Sequence, residues 1–133
     1  MRSLALIVFT LISVGLPARL AKAELPTFVY QRMQANAKEF LHIEVTDVVT
    51  QDIGQGETAV TVTAQVTGVK RSASRLQPGA TITVTYTSHN RAIIGPSPSP
   101  ILKRGGRLTA YLNPSNRRGV FVEAALGRSF VTK

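Results

Sequence analysis

Two histidines, seven carboxylates and no cysteine are the whole stock from which this 133-residue chain could build a reactive site. A hydrolytic triad needs a nucleophile, a base and an orienting acid. Serines are plentiful, but His42 and His89 are the only histidine bases, and neither stands near a G-x-S-x-G elbow or another nucleophile context. His42 lies between Leu41 and Ile43 on the polar side of an alternating segment, and His89 falls in a Ser88-His89-Asn90 loop. Zinc would want further His or Cys ligands at short spacing, and the sequence has no H-x-H, no H-x-x-x-H and no Cys. Glu44, Asp47 and Asp52 lie close together, and a carboxylate pair can hydrolyse glycosides. In a regular strand, however, Glu44 and Asp47 have opposite parity and do not converge. The expectation is a non-enzymatic protein with no catalytic residue, no metal ligand and no cofactor.

The basic residues carry more information. The expected removal of an N-terminal export signal takes away Arg2, Arg19 and Lys22 and leaves thirteen basic residues against seven acidic ones, a net charge of +6. They are segregated. Glu24 to Glu57 holds six acids and two bases, net −4, whereas Thr58 to Lys133 holds eleven bases and the single acid Glu123, net +10. Lys70, Arg71, Arg75, Lys103, Arg104, Arg117 and Arg118 fall on three connections between alternating segments and are the candidate anion-binding residues. Loops held by a rigid scaffold are the usual place for binding groups, although such charge also serves solubility. Single-stranded nucleic acid would want aromatic stacking platforms as well. Beyond residue 23 there are four Phe, three Tyr and no Trp, and only Tyr111 projects outward by parity, so no specific nucleic acid is expected. The threonines of Thr61-Val62-Thr63 and Thr81 to Thr87 read as good outward strand residues rather than as a flat hydroxyl array.

The N-terminus has the three zones of an export signal. Arg2 supplies the positive charge, Leu4 to Leu16 is almost wholly apolar, Pro17 breaks the run and Ala21-Lys22-Ala23 offers a cleavage site. The apolar run is shorter than the roughly 18 residues of a spanning helix. Residues 1–23 are therefore expected to be a signal peptide, and the chain from Glu24 a single domain of 110 residues with no membrane span. With no cysteine it must hold together by packing alone, which suits a bacterial periplasm or secretion from a bacterium better than an animal extracellular space. Asn113-Pro114-Ser115 has the central proline that forbids N-glycosylation.

Stepping along the chain from Glu24, Pro26 to about Lys38 has helical spacing, with Tyr30, Met33, Ala37 and Phe40 three and four apart. The period then becomes two. Strands are expected over Leu41–Val49, Ala59–Val69, Thr81–Thr87, Leu108–Leu112 and Val120–Ala124. Gly68 marks a bulge or coil in the second of these, and on a regular alternation it would face the same way as Val66. Gly95-Pro96-Ser97-Pro98-Ser99-Pro100 should be extended and outside any central ladder. The tail from Ala125 has no clear period. Five strands, one of them strongly bent, in so short a chain fit a mainly β fold. The expectation is a five-stranded OB-like (netrin-like) barrel with a short N-terminal helix, whose closure removes exposed edges. An open half-sandwich and a sheet with the helix packed on it are the alternatives. Val60, Val62, Ala64, Val66, Ile82, Val84, Leu108, Ala110 and Leu112 should line its core.

Val62 to Arg71 followed by Leu76 to Tyr86, with the later Gly95-Pro96…Pro98…Pro100-Ile101-Leu102, Ala110-Tyr111-Leu112-Asn113 and Ser129-Phe130, resembles small exported bacterial proteins with one OB-like barrel. At fold level the pattern A-x-V-x-x-V … G-x-x-I-x-V-x-Y is similar to the netrin-like domains of tissue inhibitors of metalloproteinases. Those inhibitors chelate the protease zinc through an N-terminal cysteine, and Glu24-Leu25-Pro26 has none. That departure removes the mechanism, so the resemblance implies a fold and leaves inhibition as a fold-level analogy only. The leading expectation is a periplasmic or secreted binding module that recognises an anionic polymer or acidic protein of the cell envelope. A protease-inhibitor-like or structural accessory using a loop or edge strand is the alternative.

Overall fold

In the computed structural model, residues 24–89 and 96–132 are described; the expected signal peptide, residues 1–23, lies outside them. The described residues form helix α1 (Thr27–Asn36) and six strands: β1 (Glu39–Gly54), β2 (Glu57–Ser72), β3 (Thr81–His89), β4 (Arg107–Pro114), β5 (Val120–Glu123) and β6 (Phe130–Thr132). The strand order is β1-β2-β3-β5-β4-β6, and pairing of β1 with β4 closes the first five into a barrel. β3 and β5 run parallel; every other pair is antiparallel. This is the mainly β, closed five-stranded barrel with one short helix near the N-terminus that the alternation implies.

All nine expected core residues are buried, joined by Leu41, Ile43, Val45, Tyr86, Leu102, Phe121 and Phe130. β-branched residues dominate because their stiff side chains pack well on a pleated surface. Burying each one contributes roughly 1.5–3 kcal/mol.

Four register shifts interrupt the β1–β2 pairing, one of them at Ile53 beside the hairpin turn, and the other three revise the parity reading. Thr46 is an extra residue in β1, between Val45↔Ala64 and Asp47↔Thr63. The extra residue turns Val48 toward the core and puts Asp47 on the outer side with Glu44, where a regular strand would have separated them. Thr67 and Lys70 are extra residues in β2. The first turns Val69 inward and Gly68 outward beneath His42, correcting the expectation that Gly68 follows Val66. A Cβ on Gly68 would lie 3.1 Å from the His42 ring, so the glycine leaves room for the imidazole.

The helix is shorter than its spacing suggests. Ala37 is already extended, at φ −58° and ψ 133°, and Phe40 belongs to β1. β1 and β2 both outrun their expected ends, His89 closes β3 rather than lying in a loop, and the tail supplies a 3-10 turn and β6.

Candidate functional site

Strand direction decides which connections meet. β2 and β4 end where β3 and β5 begin, so the connections Ala73–Ala80 and Ser115–Gly119 share one end of the barrel. Between them runs a cleft whose walls include Ser74, Leu76, Pro114, Arg117 and Arg118, with the buried Phe121 below. Leu76 packs against the core, which makes the cleft floor apolar and its rim basic.

Both walls are fixed locally. In the β4–β5 connection the Ser115 amide donates to the Val120 carbonyl at 2.9 Å, the Val120 amide to the Arg117 carbonyl at 3.1 Å, and the Arg117 amide to Ser115 Oγ at 3.1 Å. Gly119 closes this turn at φ 77°, a left-handed conformation that favours glycine. In the β2–β3 connection the Leu76 amide donates to Ser72 Oγ at 2.9 Å, and Arg75 itself sits at φ 58°. The Ser74 amide donates to Glu39 Oε1 at 2.9 Å. Glu39 is fully buried, with Oε2 lacking a described partner, because it shares the inward parity of Leu41 and Ile43. A carboxylate under the barrel end thus ties down the loop that carries Arg75.

The seven candidate residues do not form one face. Arg75, Arg117 and Arg118 belong to the two connections beside the cleft, and the exposed Lys70 lies at the bulge near the end of β2. Arg71 is at the same end, but its guanidinium is engaged. Nε donates to the Ala37 carbonyl and Nη2 to the Gln34 carbonyl, both at 2.9 Å, satisfying the open end of α1. It also lies 5.8 Å from the centroid of Phe40, which in turn stacks on Tyr111 at 4.6 Å. The outward Tyr111 ring is therefore partly covered. Lys103 and Arg104 are at the other end of β4, in a turn whose Gly105 amide donates to the Val45 carbonyl at 2.7 Å. The seven residue steps from Arg107 to Pro114 separate them from the cleft by about 24 Å at roughly 3.4 Å per residue.

None of these seven side chains forms an ion pair among the described residues. The ion pairs that do form are Arg107–Glu44 at 3.6 Å and Arg128–Glu24 at 3.5 Å, and His89 Nδ1 lies 3.5 Å from Glu57 Oε1.

At the far end, the segment Ser97–Leu102 is held against the barrel as a strap. Tyr86 Oη donates to the Pro100 carbonyl at 2.7 Å and accepts from the Leu102 amide at 3.1 Å. Ser88 Oγ donates to the Ser99 carbonyl at 2.6 Å, Ser99 Oγ donates to Glu123 Oε2, and the Ser97 amide donates to Tyr30 Oη at 2.9 Å. Burial pushes the Glu123 carboxyl up to about 7, against the opposing pull of the Ser99 hydroxyl. His89 shares the adjoining pocket, but its Nδ1 faces Glu57 rather than a serine. His42 pairs through Nδ1 with Thr109 Oγ1 at 3.1 Å. Glu44 meets Arg107 while Asp47 stays exposed, so the shared side of β1 does not make them a pair. Among the described residues no three His, Asp or Glu groups gather as a metal site.

Sequence reading missed Glu39 and Glu123. Each stands two residues from an inward apolar neighbour, Leu41 or Phe121, and that parity was the available signal. Compared with known protein families and with curated proteins, the chain matches none. No helix among the described residues is long and apolar enough to cross a membrane.

Proposed function

We propose that the protein is an exported, non-enzymatic binding module whose basic barrel end takes an anionic polymer or acidic protein of the bacterial envelope. One observation carries this reading. One connection sets Arg117 and Arg118 on the wall of an apolar-floored cleft, the connection across it carries Arg75, and no described acid is paired to any of the three. Unpaired guanidinium groups offer planar, bidentate donors for carboxylate, sulfate or phosphate. Lys103 and Arg104, at the opposite end, belong to the solvated surface in this reading, and Arg71 to the helix.

The test is binding of the chain from Glu24 to an anionic polysaccharide, followed across salt concentration. Wild-type affinity should fall steeply with salt, as screened attraction does. Arg117→Ala with Arg118→Ala should weaken binding at least tenfold, while Lys103→Ala with Arg104→Ala leaves it nearly unchanged. Equal losses in both double variants would overturn the assignment to this end. The export half of the reading predicts that mass spectrometry of the protein recovered from the periplasm or medium finds Glu24 as its first residue; retention of Leu4 to Leu16 would refute it.

A further inference from the structure

On its β1 side the β1–β2 hairpin reaches past the closed part of the barrel, while β3 pairs with β2 along the other side as far as Glu57↔His89. Pairing of β1 with β4 stops at Glu44↔Arg107, and Val45 is the last β1 residue whose outer edge is bonded, to Gly105 and Gly106, among the described residues. From there to Gly54 the strand continues for about 30 Å at roughly 3.4 Å per residue. Thr46 to Thr58 contains Asp47, Asp52 and Glu57 and no base. Val49 and Ile53 are 58% and 50% exposed on this arm, unusual positions for large apolar side chains that no described element covers. The tip is shaped rather than loose. The Gly54 amide donates to Asp52 Oδ1 at 2.8 Å, and Gly54, Gln55 and Gly56 turn at φ 89°, 55° and 74°.

This acidic, apolar-tipped arm is complementary to the cleft at the other end of the same molecule, which has a basic rim and an apolar floor. We infer that the hairpin tip of one copy docks in the basic cleft of the next, Ile53 against Leu76 and Phe121, with Asp52 toward Arg117 and Arg118 and Asp47, further back on the arm, adding to its negative field. The inference rests on the reading of that cleft as a site for acidic partners and names the partner as a second copy of this chain. A symmetric alternative, edge pairing of two β1 strands centred on Val49 and Thr50, would set Asp47 directly opposite Asp52, and like charges directly opposed destabilise a sheet. Docking of one end on the other is heterologous, so copies add head to tail and growth stays open unless the rotation closes a ring. The turn carrying Lys103 and Arg104 is bonded at Val45, close to Asp47, whereas Asp52 lies about 24 Å further along the strand at roughly 3.4 Å per residue, well beyond a Debye length of about 8 Å.

The experiment is sedimentation velocity of the chain from Glu24, at low salt and up to hundreds of micromolar, with the melting temperature of every variant recorded. The expected result is a rise in weight-average mass with concentration that vanishes in molar salt, where the Debye length is about 3 Å. D47K with D52K, and separately R117E with R118E, should each abolish the rise, and an equimolar mixture of the two charge-reversed proteins should restore it. Should a charge-reversed protein not fold, I53S provides the same loss through the apolar contact. A wild-type protein that stays monomeric throughout, or assembly that survives in either charge-reversed protein, would overturn the inference. Polysaccharide binding separates the two readings. If D47K with D52K keeps wild-type polymer binding and the wild type never self-associates, the anionic site stands and the head-to-tail contact falls.

Discussion

The two ends of the barrel use polar residues in opposite ways. At the strap end Tyr86, Ser88, Ser99 and Glu123 are turned inward and bonded to one another or to the backbone of Ser99, Pro100 and Leu102. At the basic end Arg75, Arg117 and Arg118 form no ion pair with a described acid, and they stand on turns whose own backbone bonds hold their shape. The first arrangement consumes hydrogen-bonding capacity in holding the chain together; the second leaves it available to a partner. Changes at the strap end should therefore register as lost stability and changes at the basic end as lost binding, with little crossover.

The largest expected effect on stability is a pH dependence centred on Glu123. Its folded-state carboxyl titrates at about 7 because burial disfavours the charge. An unfolded chain would release that proton near the ordinary value of 4.5. Between those values the native state keeps a proton that the unfolded state has lost. The contribution is thus fully present below 4.5 and disappears as pH rises through 7, a loss of up to about 3 kcal/mol. Urea midpoints at about pH 5 and about pH 8 should differ in the wild type and converge in Glu123→Gln, which removes only this linkage. Equal pH dependence in the two proteins would place the carboxyl in water.

Next in size is Gly127→Ala. A Cβ there would sit 2.2 Å from the Ser97 carbonyl oxygen and 2.6 Å from that of Pro98, both backbone atoms of the strap. Relieving the overlap means moving the strap, at a cost of about 2 kcal/mol, typical of overpacking. Thermal melting should show it, with polymer binding unchanged. The smallest effect belongs to Arg117→Ala with Arg118→Ala, which should alter stability by less than about 0.5 kcal/mol because both are exposed. A large loss of stability there would erase the distinction between the ends.

Much of the barrel is legible in the sequence because its strands alternate cleanly. Val60, Val62, Ala64 and Val66, with Ile82, Val84 and Tyr86, identify their own inner faces. What alternation cannot supply is the position of a skipped residue. One extra residue reverses every side chain beyond it, so the bulges at Thr46, Thr67 and Lys70 moved Asp47, Gly68 and Val69 to unexpected sides. Phe40 looked helical because its spacing from Ala37 fits a turn, whereas its pairing with Arg71 and Tyr111 comes from distant segments. Glu39 and Glu123 were hidden by type, since carboxylates are seldom buried without a partner. The candidate site shows the same division. The basic residues and their assignment to connections could be read directly. Which connections share an end depends on strand order, and that order split the seven into the group near the cleft, the engaged Arg71, and the distant Lys103 and Arg104.

The most direct test of the account is a residue-resolved NMR titration of the chain from Glu24 with an anionic polysaccharide. Binding at the basic end predicts that the amides of Ser74 to Gln77 and Ser115 to Gly119 shift together and saturate with one affinity, while those of Lys103 to Gly106 stay in place. Shifts led by Lys103 and Arg104, or spread evenly over every basic residue, would contradict it.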